Sequence, residues 1–288
     1  MSFKSGIFCL SKHIMTSPLD DIPDAVEAPF PVSQPARLKM TPIDLDFFKA
    51  NGYLLLETAL TDSELTRFVA LYDRDRAERR YNWRLIGPDE HQTCNCDPLI
   101  TSPEIDEWLR HPRLVEPIEA ILGEPICVSE VCFRHMAPRD REPVQSWHRD
   151  SPHDLSHPLR TGFVHAMIYL SDVHEGTHCF SLSPEAVSDP ILDTAAQLAA
   201  RGSIDFHGPA GTVVLFNLSV LHTATVRRTE LERKTLQTYY GRRSGPVLSH
   251  YSTFPAKLWR DHPDPDVRGF YGNLNEKSRL YAEAFNRS

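Results

Sequence analysis

His148 and Asp150, separated by one position, form the sharpest local pattern in the chain. At the end of an extended segment, the side chains of residues i and i+2 point to the same face, so an imidazole and a carboxylate would lie side by side. These groups are two of the three ligands in the facial metal site of non-haem iron(II) oxygenases, which leaves three adjacent positions open. Taken alone the pair is a weak signal, because the chain contains 14 histidines.

A second histidine from a distant strand would complete the site. The run from Gly211 to His222 predicts a strand, a turn and a second strand, with His222 near the start of that second strand. Arg233 follows eleven residues later and opens the next predicted strand. Its guanidinium has the planar fork that receives a carboxylate through two hydrogen bonds, so it could bind the distal carboxylate of 2-oxoglutarate. We therefore expect His148, Asp150 and His222 to be the iron ligands and catalytic residues, and Arg233 to bind the co-substrate.

Two residues just before the metal motif are further candidates for cofactor binding. Strand alternation places Ser146 on the same face as His148, and Gln145 would take that place if the strand is bulged. Arg134, late on the preceding predicted strand, could also reach the pocket, or it could pair at the surface with Glu130 or Asp140.

The segments that must position these residues begin with helices. Thr41 with Asp44, and Thr61 with Glu64, have the spacing of helix capping signatures, and Gly123 is a typical helix stop. The pattern predicts helices over residues 42–51, from 61 onward, 102–110, 114–122, 189–201 and 275–285.

Short strands separated by turn residues follow Gly123. They are predicted over residues 126–134, 144–148, 163–170, 212–217, 220–226 and 234–241, with an earlier strand at 53–56 and an irregular loop over 81–100. This pattern is typical of an antiparallel barrel or sandwich, that is, a mainly β fold with flanking helices.

The predicted organisation is one domain after an N-terminal tail. Residues 1–38 are rich in Pro, Asp and Ser, lack periodicity and are expected to be flexible. Residues 39–288 form the domain, with a helical part over about 39–123, a strand-rich core over about 124–245 and a C-terminal loop and helix over about 246–288.

Composition excludes several other classes of function. Lys and Arg total 31 against 39 Asp and Glu, a net charge of −8, so the basic face of a nucleic-acid binder is not expected. The chain has no run of 18 apolar residues and no secretory signal, since the apolar stretch at Phe8–Leu10 is too short. The six cysteines lack the spacing of a disulfide framework, and Cys94 and Cys96 fit neither a zinc knuckle nor a redox dithiol. We expect reduced thiols in a cytoplasmic protein that acts on a small molecule, and no pattern indicates its oligomeric state.

The sequence from about residue 40 resembles the phytanoyl-CoA dioxygenase-like proteins, within the iron(II)/2-oxoglutarate oxygenases. The motifs that carry the resemblance, in order, are residues 47–56, 111–123, 147–150 and 211–216, then His222 and Arg233. The resemblance implies a double-stranded β-helix, also called a jelly roll or cupin-like fold, with helices packed outside. It also implies a reaction that uses iron(II), 2-oxoglutarate and dioxygen to hydroxylate a C–H bond, with release of succinate and CO2.

The sequence departs from the family pattern at two places. Ala224 stands where the family often has a Ser or Thr that helps to bind 2-oxoglutarate, and alternation turns Thr223 and Thr225 to the other face. The family's Pro-Gly-Ser-His turn is replaced by the run at 184–187, which contains Glu185. Asp150 keeps the carboxylate that related halogenases replace by Gly or Ala, which favours hydroxylation.

Two alternatives stay open at the level of sequence. One is a non-catalytic binding protein stabilised by a metal, and the other is a metal-dependent hydrolase or isomerase on a cupin-like barrel. Arg233 at its observed spacing argues against both.

Overall fold

Most of the helices pack against one face of a large sheet. The computed structural model describes residues 43–56, 59–86 and 92–285. Its α-helices are α1 (Leu45–Asn51), α2 (Asp62–Glu78), α3 (Pro98–Thr101), α4 (Asp106–Leu109), α5 (Pro112–Leu122), α6 (Thr194–Arg201), α7 (Ala256–Trp259), α8 (Pro265–Phe270) and α9 (Glu276–Phe285), with 3-10 turns at Arg80–Asn82 and Pro103–Ile105.

The strands form two antiparallel sheets. They are β1 (Tyr53–Leu56), β2 (Arg84–Ile86), β3 (Gln92–Asn95), β4 (Ile126–Met136), β5 (Phe163–Tyr169), β6 (Cys179–Leu182), β7 (Ile204–Phe206), β8 (Val213–Asn217), β9 (His222–Thr225) and β10 (Arg233–Arg242). The large sheet has the order β1-β8-β5-β10-β4-β3-β2, and the small sheet has the order β7-β6-β9.

The side chains of strand β10 alternate between two separate hydrophobic cores. Leu236 and Tyr240 join the hydrophobic core between the large sheet and the helices. Tyr239 points the other way, into a second core that also contains Phe180 of β6 and Phe216 of β8. Because this second core has members from both sheets, it fills the space between them. Because side chains alternate along a strand, Arg233 at the start of β10 lies on the same inward face as Tyr239.

The N-terminal part, predicted to be helical except for a strand at 53–56 and a loop over 81–100, contains two further strands. Helix α1 begins at Leu45 with Asp44 as its N-cap, while Thr41 lies outside the described residues. The capping box of Thr61 with Glu64 is confirmed. The prediction of an irregular loop over 81–100 was wrong, because β2 and β3 pair with each other and β3 also pairs with β4. These strands contain few β-branched residues, so their pairing with β4, a long-range effect, decides their conformation.

Other differences concern strands and helices in the second half. The strand expected over 144–148 is reduced to isolated bridges at Val144 and His148. Strands β6 and β7 were not predicted, and neither were α7 and α8, where only a loop was expected before α9. The expected tail over 1–38 lies outside the described residues and stays a prediction. No helix among the described residues is long and apolar enough to cross a membrane.

Candidate metal centre and co-substrate pocket

Backbone hydrogen bonds bring the three predicted ligands together from two distant segments. The N–H of His148 donates to the carbonyl of His222, and the N–H of His222 donates back, both at 3.0 Å. Two residues further on, the N–H of Asp150 donates to the carbonyl of Leu218 at 3.2 Å. The loop that contains the His-x-Asp motif is therefore fastened directly beside the start of β9.

Each imidazole is oriented by its own chain. Nδ1 of His148 lies 2.7 Å from the carbonyl oxygen of Ser146, and Nδ1 of His222 lies 2.8 Å from that of Val220. A carbonyl can only accept, so Nδ1 carries the proton in both rings and Nε2 is left with its lone pair. This second hydrogen bond is the usual way in which a protein fixes a metal-binding histidine.

The free nitrogens and the carboxylate face one another. Oδ1 of Asp150 lies 3.2 Å from Nε2 of His148, and Oδ2 lies 3.5 Å from Nε2 of His222. One ligand atom from each residue lies within 4.8 Å of the others. Adjacent ligands of one ion, each about 2.1 Å from it, would be about 3.0 Å apart. The donor set and its spacing therefore fit a facial site for a divalent transition metal.

The site is open on one side and buried on the other. The side chain of His148 is 50% exposed, whereas that of His222 is 7% exposed. Burial raises the pKa of Asp150, but without a metal the nearby rings of His148 and His222, when protonated, donate hydrogen bonds to it that outweigh burial and hold that pKa well below its usual range. The hydrogen bond that the protonated ring donates to Asp150 raises the pKa of His148. The carboxylate is thus ionised and ready to bind a cation.

Arg233 lies fully inside the protein, at the start of β10, with 2% of its surface exposed. Among the described residues, no hydrogen-bond partner is present for its Nε or Nη1. Burial lowers the pKa of this guanidinium. A buried charge without a partner is costly, so this arginine fits a site that receives an anion from outside the chain.

The other two predicted cofactor residues are placed differently. Gln145 donates from Nε2 to the hydroxyl of Thr225 and accepts from the indole of Trp147, so both ends of its amide are engaged within the protein. Ser146 is exposed, and its backbone N–H and carbonyl contact Thr223 and His148. Their role in cofactor binding stays a prediction.

The hydroxyls beside Ala224 are used elsewhere. Those of Thr223 and Thr225 contact Ser146 and Gln145, as expected if alternation turns them away from the face of His222. Ala224 therefore leaves that face without a hydroxyl in this part of β9.

Sequence reasoning missed the role of Glu185, in the run that replaces the family's turn. Its carboxylate accepts from Arg149 at 3.0 Å and lies 2.8 Å from Nε2 of His153, and its side chain is 5% exposed. Burial raises the pKa of Glu185, but the hydrogen bond with His153 and the charge of Arg149 lower it more. These contacts hold the loop that contains Asp150. One indication of this role was present in the sequence, namely that an acidic residue stands in the run that replaces the family's turn.

His165 is a polar residue inside the apolar strand β5, where buried polar side chains normally have hydrogen-bond partners. It is buried on β5 and stacks on Tyr239 with ring centroids 4.1 Å apart, but among the described residues neither ring nitrogen has a partner. Burial lowers its pKa well below the usual value, and the charges of Asp150 and His222 act on it. It is a neutral polar group in the wall of the inter-sheet space.

Two facing antiparallel sheets with a His-Asp-His site at one end define a double-stranded β-helix with a facial metal centre. The family model described as "Phytanoyl-CoA dioxygenase (PhyH)" matches residues 48–235, more than half of the chain, and the chain belongs to this family. Among curated proteins, no match to the chain is found.

Solved structures show the same fold. The non-heme alpha ketoglutarate dependent carbocyclase SnoK from nogalamycin biosynthesis has a TM-score of 0.60 and 18% identity, over 73% of this chain and 87% of SnoK. EctD from S. alaskensis, with 2-oxoglutarate and 5-hydroxyectoine, has a TM-score of 0.59 and 15% identity, over 75% and 82%. HygX from Streptomyces hygroscopicus, with nickel, 2-oxoglutarate and hygromycin B, has a TM-score of 0.56 and 19% identity, over 81% and 96%. The predicted jelly-roll fold is confirmed.

Proposed function

We propose that this protein is an iron(II)/2-oxoglutarate-dependent dioxygenase that hydroxylates a C–H bond of a small molecule. In this proposal His148, Asp150 and His222 hold the iron, and Arg233 binds the distal carboxylate of 2-oxoglutarate. Membership of the family and the facial arrangement of the three ligands support it. Bound together, iron(II) and 2-oxoglutarate supply the power to oxidise a C–H bond with dioxygen, with release of succinate and CO2.

The unpartnered Arg233 is the observation that carries the co-substrate assignment. A metal site alone would suit a hydrolase or a metal-stabilised binding protein equally well. Neither of those needs a buried guanidinium with two free nitrogen donors on the inward face of a neighbouring strand. A dicarboxylate that meets the metal with one end and Arg233 with the other accounts for both features.

The protein contributes position and exclusion of water. The protonated Nδ1 of each histidine, held by the carbonyls of Ser146 and Val220, keeps both Nε2 atoms aimed at the same point. The inter-sheet core, which includes Phe180 and Phe216, packs close to His222, with ring centroids 5.8 and 4.9 Å away. This apolar lining keeps the buried side of the site dry, while the exposed side at His148 faces the incoming substrate.

An anaerobic titration tests the proposal. Iron(II) and 2-oxoglutarate are added to the full chain, and the weak visible charge-transfer band of a keto acid chelated to iron is followed. We expect the band in wild type and in His174→Ala, a change at an exposed turn, and its loss in His222→Ala. If wild type binds iron(II) but gives no band with 2-oxoglutarate, the assignment fails and the alternatives of a binding protein or a hydrolase gain support.

A different outcome of the same oxidation is the second candidate. SnoN, from nogalamycin biosynthesis, is an epimerase and SnoK is a carbocyclase, and both share this fold. Once a substrate is found, mass spectrometry distinguishes the candidates. Hydroxylation adds one oxygen atom to the substrate, whereas epimerisation leaves its mass unchanged and oxidative ring closure removes two hydrogen atoms.

A further inference from the structure

Three cysteines meet on the inward face of the large sheet, in a cluster that shares no residue with the His-Asp-His site. Cys94 and Cys96 share this face because they are two residues apart at the end of β3, and the pairing of β3 with β4 brings them beside Cys132. All three are buried. Sγ of Cys96 lies 3.7 Å from that of Cys94 and 3.5 Å from that of Cys132, and all three sulfurs lie within 4.8 Å of one another.

These separations are those of thiolates around one metal ion. Zinc binds thiolate sulfur at about 2.3 Å, which places two tetrahedral ligands about 3.8 Å apart. The observed distances therefore match a shared ion with little movement of either strand. A disulfide needs sulfurs about 2.05 Å apart, and the five described cysteines are all free.

A partly buried positive charge lies beside the cluster. Arg134 is directly opposite Cys94 in the β3–β4 pairing and so points to the same face. Among the described residues, its Nε is buried without a hydrogen-bond partner. Hydrogen bonds from Cys132 and Cys96 lower the pKa of Cys94, and the charge of Arg134 acts in the same direction, whereas the pKa values of Cys96 and Cys132 are raised in the metal-free cluster. A metal ion would therefore displace the protons of these two thiols as it binds. Three thiolates around a divalent ion carry one net negative charge, which this guanidinium would balance.

We propose that Cys94, Cys96 and Cys132 form a second metal site, for a thiophilic d10 ion such as Zn(II) or Cu(I). Soft thiolate ligands select these ions, whereas the imidazole and carboxylate ligands of the other site suit iron(II). The bound ion ties the short hairpin of β2 and β3 to the long strand β4. The site does not depend on the oxygenase proposal, because it shares no residue with it.

Cobalt(II) is the probe for zinc, because thiolate ligands give it an intense near-ultraviolet charge-transfer band that nitrogen and oxygen ligands do not give. The reduced full chain is stripped of metal and titrated with Co(II), and then with Zn(II), anaerobically. We expect two Co(II) per wild-type chain, with the sulfur band removed by one equivalent of Zn(II). His222→Ala should bind one Co(II) and keep the band, whereas Cys96→Ser and Cys94→Ser should bind one and lose it.

Cys127→Ser is the matched control, since Cys127 is a buried cysteine of β4 outside the cluster. It should behave as wild type, and circular dichroism confirms that each variant is folded. A parallel titration with Cu(I) against a chromophoric chelator distinguishes the two ions, and the tighter one is the proposed occupant. The proposal is overturned if wild type shows neither the sulfur band with Co(II) nor Cu(I) binding in competition with the chelator, or if Cys96→Ser retains the band. It is also overturned if the three thiols are found as a disulfide under the reducing conditions used.

Discussion

Replacing Arg233 by methionine should weaken the binding of 2-oxoglutarate without destabilising the folded protein. The side chain is buried, and among the described residues its Nε and Nη1 have no partner. Two charge-assisted hydrogen bonds to a carboxylate are each worth about 1.5–3 kcal/mol. Their loss should therefore weaken 2-oxoglutarate binding at least roughly a hundredfold, since each 1.4 kcal/mol is about tenfold.

The same change should leave the protein without co-substrate more stable. Replacement of buried charges by apolar side chains of similar volume is neutral or stabilising by about 1–4 kcal/mol. For a domain of this size, Tm moves by about 2–4 °C per kcal/mol. We expect Arg233→Met to have an equal or higher Tm than wild type with metal alone, and to lose the further rise that 2-oxoglutarate gives wild type.

Differential scanning fluorimetry across a 2-oxoglutarate series, with a redox-inert divalent metal in the site, measures both effects. Arg228→Met is the control, because Arg228 is exposed and pairs only with exposed acids, so both readings should stay near wild type. If Arg233→Met binds 2-oxoglutarate as wild type does, the assignment of this arginine is wrong. If the variant is strongly destabilised without co-substrate, the guanidinium has a structural partner and the reasoning from burial fails.

Three further changes test the surroundings of the site. Ala224→Ser restores a hydroxyl on the inward face of β9 and should tighten 2-oxoglutarate several-fold, at about 0.5–1.5 kcal/mol, in the charge-transfer titration; unchanged or weaker binding would contradict this. Glu185→Gln should lower the free energy of unfolding by about 1.5–3 kcal/mol at pH 7 in urea. Because the pKa of Glu185 is lowered in the folded state, this difference should disappear as the pH falls below the usual glutamate range, and a difference that persists there would refute the ionic account. Gly52→Ala should destabilise by about 1–3 kcal/mol, since φ is +77° and a Cβ would lie 2.6 Å from Cγ2 of Val220, and a neutral result in urea would rule out this clash.

The candidate ligands could be proposed from the sequence because each belongs to a local pattern, and their role in metal binding stays a prediction. His-x-Asp uses the period of an extended chain, and His222 and Arg233 each begin a strand that the alternation predicts. The capping box at Thr61 and the stop at Gly123 are equally local, and both were predicted correctly.

The features that sequence missed depend on contacts between distant residues. Strands β2 and β3 exist because β4 pairs with β3, and the His-x-Asp segment is not a strand because only isolated bridges join it to its neighbour. The ties from Glu185 to Arg149 and His153 link residues about thirty positions apart, and no period in the sequence indicates them. The meeting of Cys132 with Cys96 has the same origin.

The backbone hydrogen bonds between the His-x-Asp loop and β9 would also decide how the proposed metal site becomes accessible. Reciprocal bonds join His148 to His222, and a similar bridge joins Val144 to Val226, but no continuous ladder runs between them. Isolated bridges break singly, without the cooperativity of a sheet. In native-state hydrogen exchange, the amides of His148 and His222 should therefore exchange together, and faster than those in the centre of β5 or β10. If the proposed ligands hold a metal, loosening this edge alone would release or admit the ion, while the barrel that carries Arg233 stays folded.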